Sequence, residues 1–101
     1  MRLVLDVNSP LHAEYVCHTA RDGQRVLNEH PISAMYIGSQ LRGRGTALDV
    51  MKWANQRGLL PMQITLVSNN LEIRRTLAEF LTGNGYVGDG IFFHKLTRHY
   101  I

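Results

Sequence analysis

Residues 34–68 read AMYIGSQLRGRGTALDVMKWANQRGLLPMQITLVS, and this run decides the fold. With Ser33 before it, the run opens on SAMYIGSQ (Ser33 to Gln40), an apolar segment of strand length. The glycine- and arginine-rich loop LRGRG (Leu41 to Gly45) follows. Thr46 then has the chemistry of a helix N-cap, with Asp49 three positions on in the place of a capping-box acid. Ala47, Val50, Met51 and Ala54 recur at helical spacing as one apolar stripe, so a helix is expected to about Arg57. Gly58 stops that helix and Pro61 reinforces the stop. QITLVS (Gln63 to Ser68) is a second strand. Two strands joined through a helix by short connections imply a right-handed crossover and a parallel pair.

The same pattern extends outward. RLVLDV (Arg2 to Val7) reads as a buried parallel strand that Ser9-Pro10 breaks, and EYVCH (Glu14 to His18) as a short second strand. Thr19 caps a short helix with Asp22 three positions on, Val26 and Leu27 inward, Gly23 weakening it and Pro31 at its end. On the other side, Asn69 or Asn70 caps a third helix, Glu72 reaches back, and Ile73, Leu77, Phe80 and Leu81 share one face. Gly83-Asn84-Gly85 ends it, and GIFFHKL (Gly90 to Leu96) is the fifth strand. The expectation is a single α/β domain over residues 1–101. Its sheet is five-stranded and mainly parallel, in a three-layer, doubly wound, flavodoxin-like arrangement that lacks the last helix.

Composition sets bounds on function. Apolar residues make up 45% of the 101, enough for a packed core. The one cysteine, Cys17, excludes an intramolecular disulfide and fits a reducing cytoplasm. No apolar run reaches membrane length or has the form of a signal peptide, so a soluble, cytoplasmic protein with no membrane partner is expected. The net charge of +3 favours anionic partners without singling out nucleic acid. The five histidines have no metal-ligand spacing: His94 and His99 are five apart, and His12 and His18 stand alone. Phe92, Phe93, Trp53 and Tyr36 read as core, and Tyr86 and Tyr100 as the exposed aromatics. A platform for stacking bases would need aromatics exposed beside basic residues.

In a doubly wound sheet the ligand crevice lies at the carboxyl ends of the strands. That rule gathers Asp6 and Asn8, Ser39 and Gln40, Ser68, Asn69 and Asn70, and His94 and Lys95. Asp6 is either an acid of the site or an acceptor for a neighbouring amide or Lys95. Ser39, Gln40, Ser68, Asn69 and Asn70 form a neutral polar pocket, or the asparagines only cap the helix. Backbone N–H groups at the start of that helix would offer an anion site. Arg42 and Arg44 clamp a phosphate, or only solvate the loop. One of Arg74 and Arg75 approaches the crevice, or Glu72 partners it. Ser68 with His94 is the one nucleophilic pair that folding would have to assemble. Catalytic candidates are therefore Asp6, Ser68 and His94.

These positions resemble those of a bacterial receiver domain, with Asp6, Ser68 and Lys95 at corresponding places and no aspartate around Gly38. LDV (Leu5 to Val7), MYIGSQLRGRGTALDVMKW (Met35 to Trp53) and VSNN (Val67 to Asn70) are similar, more closely, to the receiver-like family proposed to process cyclic phosphates. Val7, Gly38, Ser39, Gln40 and Val67 stand where that family carries acids or histidines. The resemblance implies a receiver-like domain that has lost catalytic groups and works by binding, as an adaptor, inhibitor or sponge in a bacterial or phage setting. Its ligand would be a protein or a phosphate-bearing molecule. The alternative is a cyclic-phosphate or phosphodiester hydrolase with a reduced site, in which Asp6 would hold Mg²⁺; otherwise no metal or cofactor is expected. A missing last helix would leave residues 90–101 thinly covered, which motivates a homodimer through that flank.

Overall fold

The structure, a computed structural model, describes residues 1–6, 12–38 and 40–96. In chain order the elements are β1 (Arg2–Leu5), β2 (Tyr15–Cys17), α1 (Ala20–Glu29), β3 (Ala34–Ile37), α2 (Ala47–Gln56), β4 (Gln63–Leu66), α3 (Leu71–Gly83), β5 (Tyr86–Gly88) and β6 (Phe92–Lys95). The helices begin where capping chemistry predicts. The Thr19 hydroxyl accepts from the Asp22 N–H at 3.1 Å. Thr46 and Asp49 form a reciprocal capping box at 2.9 and 3.2 Å. Asn70 Oδ1 accepts from the N–H groups of Glu72 and Ile73 at 3.0 and 3.1 Å.

One sheet holds all six strands in the order β2-β1-β3-β4-β6-β5. β1 to β4 are mutually parallel, as the crossover pattern requires. The last part corrects the expectation. The predicted fifth strand starts at Phe92 and runs antiparallel to β4, and β5, which was not expected, pairs with it as a hairpin. The sheet is therefore six-stranded and mixed. The reversal comes from Gly88-Asp89-Gly90: the Asp89 carboxylate accepts from the N–H groups of Ile91 and Phe92 at 3.0 and 2.9 Å. A Cβ on Gly88 would stand 2.1 Å from the Phe92 carbonyl oxygen, so the turn closes only around glycine. The Asp89-Gly90 pair between two apolar pairs is the hairpin signal that the sequence carries here. The amides of Phe92 and Ile91 hold the Asp89 carboxyl below its ordinary value. Its contribution to the turn is present above the ordinary carboxylate range and is lost as pH falls through the lowered value.

The core lies on one side of the sheet. Leu3, Leu5, Cys17, Met35, Ile37, Ile64, Leu66, Tyr86 and Phe93 share one register face, and all three helices contribute to the same cluster. Val26 and Leu27 of α1, the predicted stripe of α2, and Leu77 and Leu81 of α3 are buried. α1 sits so close that a Cβ on Gly23 would lie 2.7 Å from a Leu5 methyl, so this glycine serves packing. The expected third layer is not formed by the described residues. The opposite face carries Val16, Val4, Tyr36, Thr65 and Phe92 in one row, and Arg2, Ala34, Gln63, His94 and Val87 in the next.

Two aromatic expectations reverse as a result. Adjacent strand residues face opposite sides, so Phe93 is buried while Phe92 is 61% exposed. Tyr86 is only 2% exposed, and its hydroxyl donates to the Pro61 carbonyl oxygen at 2.5 Å. Tyr100 lies outside the described residues.

Burial pushes the Tyr86 phenol up to about 12 from 10.0. Because the folded value is raised, its contribution is complete below the unfolded value and is lost as pH rises toward the folded one. Stability should fall between pH 10.0 and about 12. Tyr86→Phe should lose about 1 kcal/mol at neutral pH and show a shallower alkaline fall, both read from urea unfolding across pH.

Candidate functional site

The carboxyl edge of the parallel strands is where the sequence placed a site. The backbone ladder runs past the strand ends: Asp6 N–H donates to Cys17 O at 3.1 Å, Gly38 N–H to Leu5 O at 3.0 Å, and Val67 N–H to Ile37 O at 2.8 Å. Asp6 and Gly38 are thus level and adjacent. A Cβ on Gly38 would stand 2.1 Å from the Asp6 carboxyl carbon. The Asp6 side chain therefore occupies the space that any side chain at Gly38 would need. An acid at Gly38 would not fit with Asp6 in its present place.

His18 joins this group, although sequence reasoning had set it aside as isolated. Its Nδ1 lies 2.9 Å from the Asp6 carbonyl oxygen. A carbonyl oxygen only accepts, so Nδ1 carries the proton and Nε2 is the basic nitrogen of the neutral ring. The ring belongs to an exposed residue. The available signal was position: His18 is the first residue after a strand, at the same edge as Asp6. The Arg42 N–H donates to the His18 carbonyl oxygen at 2.7 Å, and Arg42 bridges to Thr19. β1 lies between β2 and β3 in the sheet. The loop leaving β3 therefore crosses the end of β1 to reach the turn between β2 and α1. Gly43 and Gly45 allow this path with φ of 76° and 93°. Arg42 and Arg44 are exposed and make no ion pair with a described residue.

Other candidates are committed to structure. Ser68 is 3% exposed, and its Oγ accepts from the Asn70 N–H at 3.1 Å. The Asn70 side chain caps α3, so the amides of Glu72 and Ile73, expected to be an anion site, are already satisfied. Gln40 and Asn69 are exposed at the edge. Asn8 and Ser39 lie outside the described residues.

His94 and Lys95 are not in the crevice, which corrects two expectations. β6 runs antiparallel, so His94 pairs with Gln63, and the Lys95 N–H donates to Met62 O at 2.9 Å. Gln63 precedes Ser68 by five residues, about 16 Å of strand at roughly 3.3 Å per residue. A Ser68–His94 pair and an Asp6–Lys95 contact are excluded by that distance. The Lys95 ammonium instead lies 5.9 Å from the Tyr86 ring centre. Arg74 lines a separate cleft beside the β5–β6 turn, with Arg75 and Gly90.

A hard cation needs several oxygen ligands. Among the described residues, no three histidine, cysteine or acidic side chains stand close enough to hold a metal ion. Burial, then the Asp22 charge, pushes the Cys17 thiol up, away from the reactive thiolate. No described helix is long and apolar enough to cross a membrane. No protein-family model, curated protein or solved structure matches the chain.

The Asp6–Gly38 contact is testable by a double-mutant cycle. Gly38→Ala should cost about 1–3 kcal/mol by overpacking. Combined with Asp6→Ala, the loss should fall below the sum of the single losses by about 1 kcal/mol. Chemical denaturation of the four proteins measures this. Strict additivity would show that the two residues do not compete for space.

Proposed function

We propose that the chain is a non-catalytic binding domain that acts through its open sheet face, and that a second copy of the chain seats there. The observation that carries this is the one-sided core. Parallel strands are normally covered on both faces, yet all three helices pack on one. The other face exposes Phe92, Val16 and Val87, while Val4, in one row with Val16 and Phe92, is buried. Charge argues for the occupant. In the two strand rows of this face the one Lys or Arg is Arg2, paired with Glu14 at 3.5 Å, and no acid stands among them. Two such faces meet without like-charge repulsion, whereas nucleic acid draws its affinity from unpaired cations. The receiver-like, regulatory setting remains part of the proposal, as adaptor, inhibitor or sponge. Its phosphate-holding version loses support, because Lys95 stands at the other end of the sheet and Asn70 fills the start of α3.

Light scattering on the full chain at high micromolar concentration should give twice the 11.5 kDa chain mass. Phe92→Asp should return it to the monomer with little loss of thermal stability, since the side chain is exposed. Leu71→Asp, on α3 and away from the sheet face, should leave the mass unchanged. A monomeric wild type would overturn self-association.

One observation favours a hydrolase instead: the oriented His18 imidazole beside Asp6. In that case Nε2 takes a proton from a water that attacks the phosphorus of a 2′,3′-cyclic phosphate, and the displaced ester oxygen is protonated as its bond to phosphorus breaks. Turnover of 2′,3′-cyclic mononucleotides that falls about a hundredfold in His18→Ala would support this alternative. An unchanged substrate after prolonged incubation would remove it.

A further inference from the structure

Beside the β5–β6 turn, at the start of α3, is a cleft of about 390 Å³ lined by Leu71, Glu72, Arg74, Arg75, Ala78 and Gly90. We propose that this cleft binds a small organic anion, a phosphate or carboxylate head carried on an apolar body. The volume is at the lower end of small-molecule sites, which run from roughly 300 Å³ upward. Its walls divide into two chemistries. Leu71, Ala78 and Gly90 offer an apolar surface, and Leu71 is 69% exposed. Arg74 and Arg75 both line the same space, and Arg74 is half-buried.

Neither arginine forms an ion pair with a described residue. The ion pairs among the described residues are Arg2–Glu14 and Arg25–Asp22. Glu72 lies on the rim, three residues from Arg75 and so on its side of the helix, but makes no ion pair with either arginine. Of the other nearby acids, Glu79, four residues past Arg75 on α3, makes no ion pair with it, and Asp89 is engaged by the amides of its own turn. The amides of Glu72 and Ile73 are satisfied by Asn70, so the guanidiniums, and not the helix end, are the donors for an anion. Guanidinium forks match carboxylate and phosphate oxygens pairwise. The turn leaves room for the body of the ligand: Gly90 has φ of 100°, and nothing stands within 4 Å of where a Cβ would be. The site is separate from the open sheet face and does not depend on self-association.

The test is a two-dimensional NMR titration of the full chain with phenyl phosphate, benzoate, inorganic phosphate and phenol. Saturable shifts at residues 71–78 and 90 are expected with phenyl phosphate, benzoate or both, and the two arms separate phosphate from carboxylate. Binding should be about tenfold weaker for inorganic phosphate and for phenol, and about tenfold weaker in Arg74→Ala/Arg75→Ala. Ala78→Glu, which sets an acid four residues from Arg74, should abolish it. Phe92→Asp should bind as wild type does, whatever its mass, which separates this outcome from that of the sheet-face proposal. No saturable shift with either organic anion, undiminished binding in the double-alanine variant, or inorganic phosphate binding as tightly as phenyl phosphate would each overturn the proposal.

Discussion

The Asp89 carboxylate, bonded to the N–H groups of Ile91 and Phe92, turns the chain back on itself, and much of the rest depends on that reversal. Because β6 returns antiparallel beside β4, Lys95 and His94 finish at the end of the sheet opposite Asp6 and Ser68. The same reversal gives β5 a partner. It also places Gly90 against the start of α3, where the arginine cleft forms. A parallel fifth strand would have put Lys95 in the crevice and closed the arrangement expected of a receiver-like sheet. One two-donor turn, closed around a glycine that has no space for a Cβ, separates the two outcomes.

The carboxyl edge keeps the outline of a site but spends its groups internally. Asp6 lies over Gly38, Ser68 supports Asn70, and Asn70 caps α3. A side chain whose hydrogen bonds are satisfied within the fold must give them up to take a ligand, and a buried polar group left without partners costs about 1–3 kcal/mol. The arginines of the edge differ. Arg42, Arg44, Arg74 and Arg75 make no ion pair with a described residue, so an anion would displace no described acid there.

Placing three helices on one face satisfies the core while leaving apolar strand residues in contact with solvent. Alternation makes this unavoidable. A strand whose even and odd positions are both apolar needs two covers; the described helices provide one, and on the other face Val4 of β1 is buried while Val16 and Phe92 in its row are exposed. Leu3 and Leu5 lie under helices, while Val16, Phe92 and Val87 lie on the other side. Surface of this kind is a common feature of interaction sites.

Local chemistry determined what could be read from residues alone. Thr46 with Asp49, Thr19 with Asp22, and Asn70 mark their helices because caps act over three or four residues. The stripe of Ala47, Val50, Met51 and Ala54 is buried as its spacing requires, and short connections through helices make the first four strands parallel. The direction of the last strand, the side on which each helix lies, and the company of Asp6 were decided by tertiary structure. Apolar runs such as GIFFHKL carry no sign of direction, since a strand buries the same side chains whichever way it runs. His18 reaches Asp6 only because β2 pairs with β1 in one particular register, and Gly38 matters only because Asp6 stands over it. Contacts between residues distant in sequence depend on sheet order and register, which no local pattern encodes.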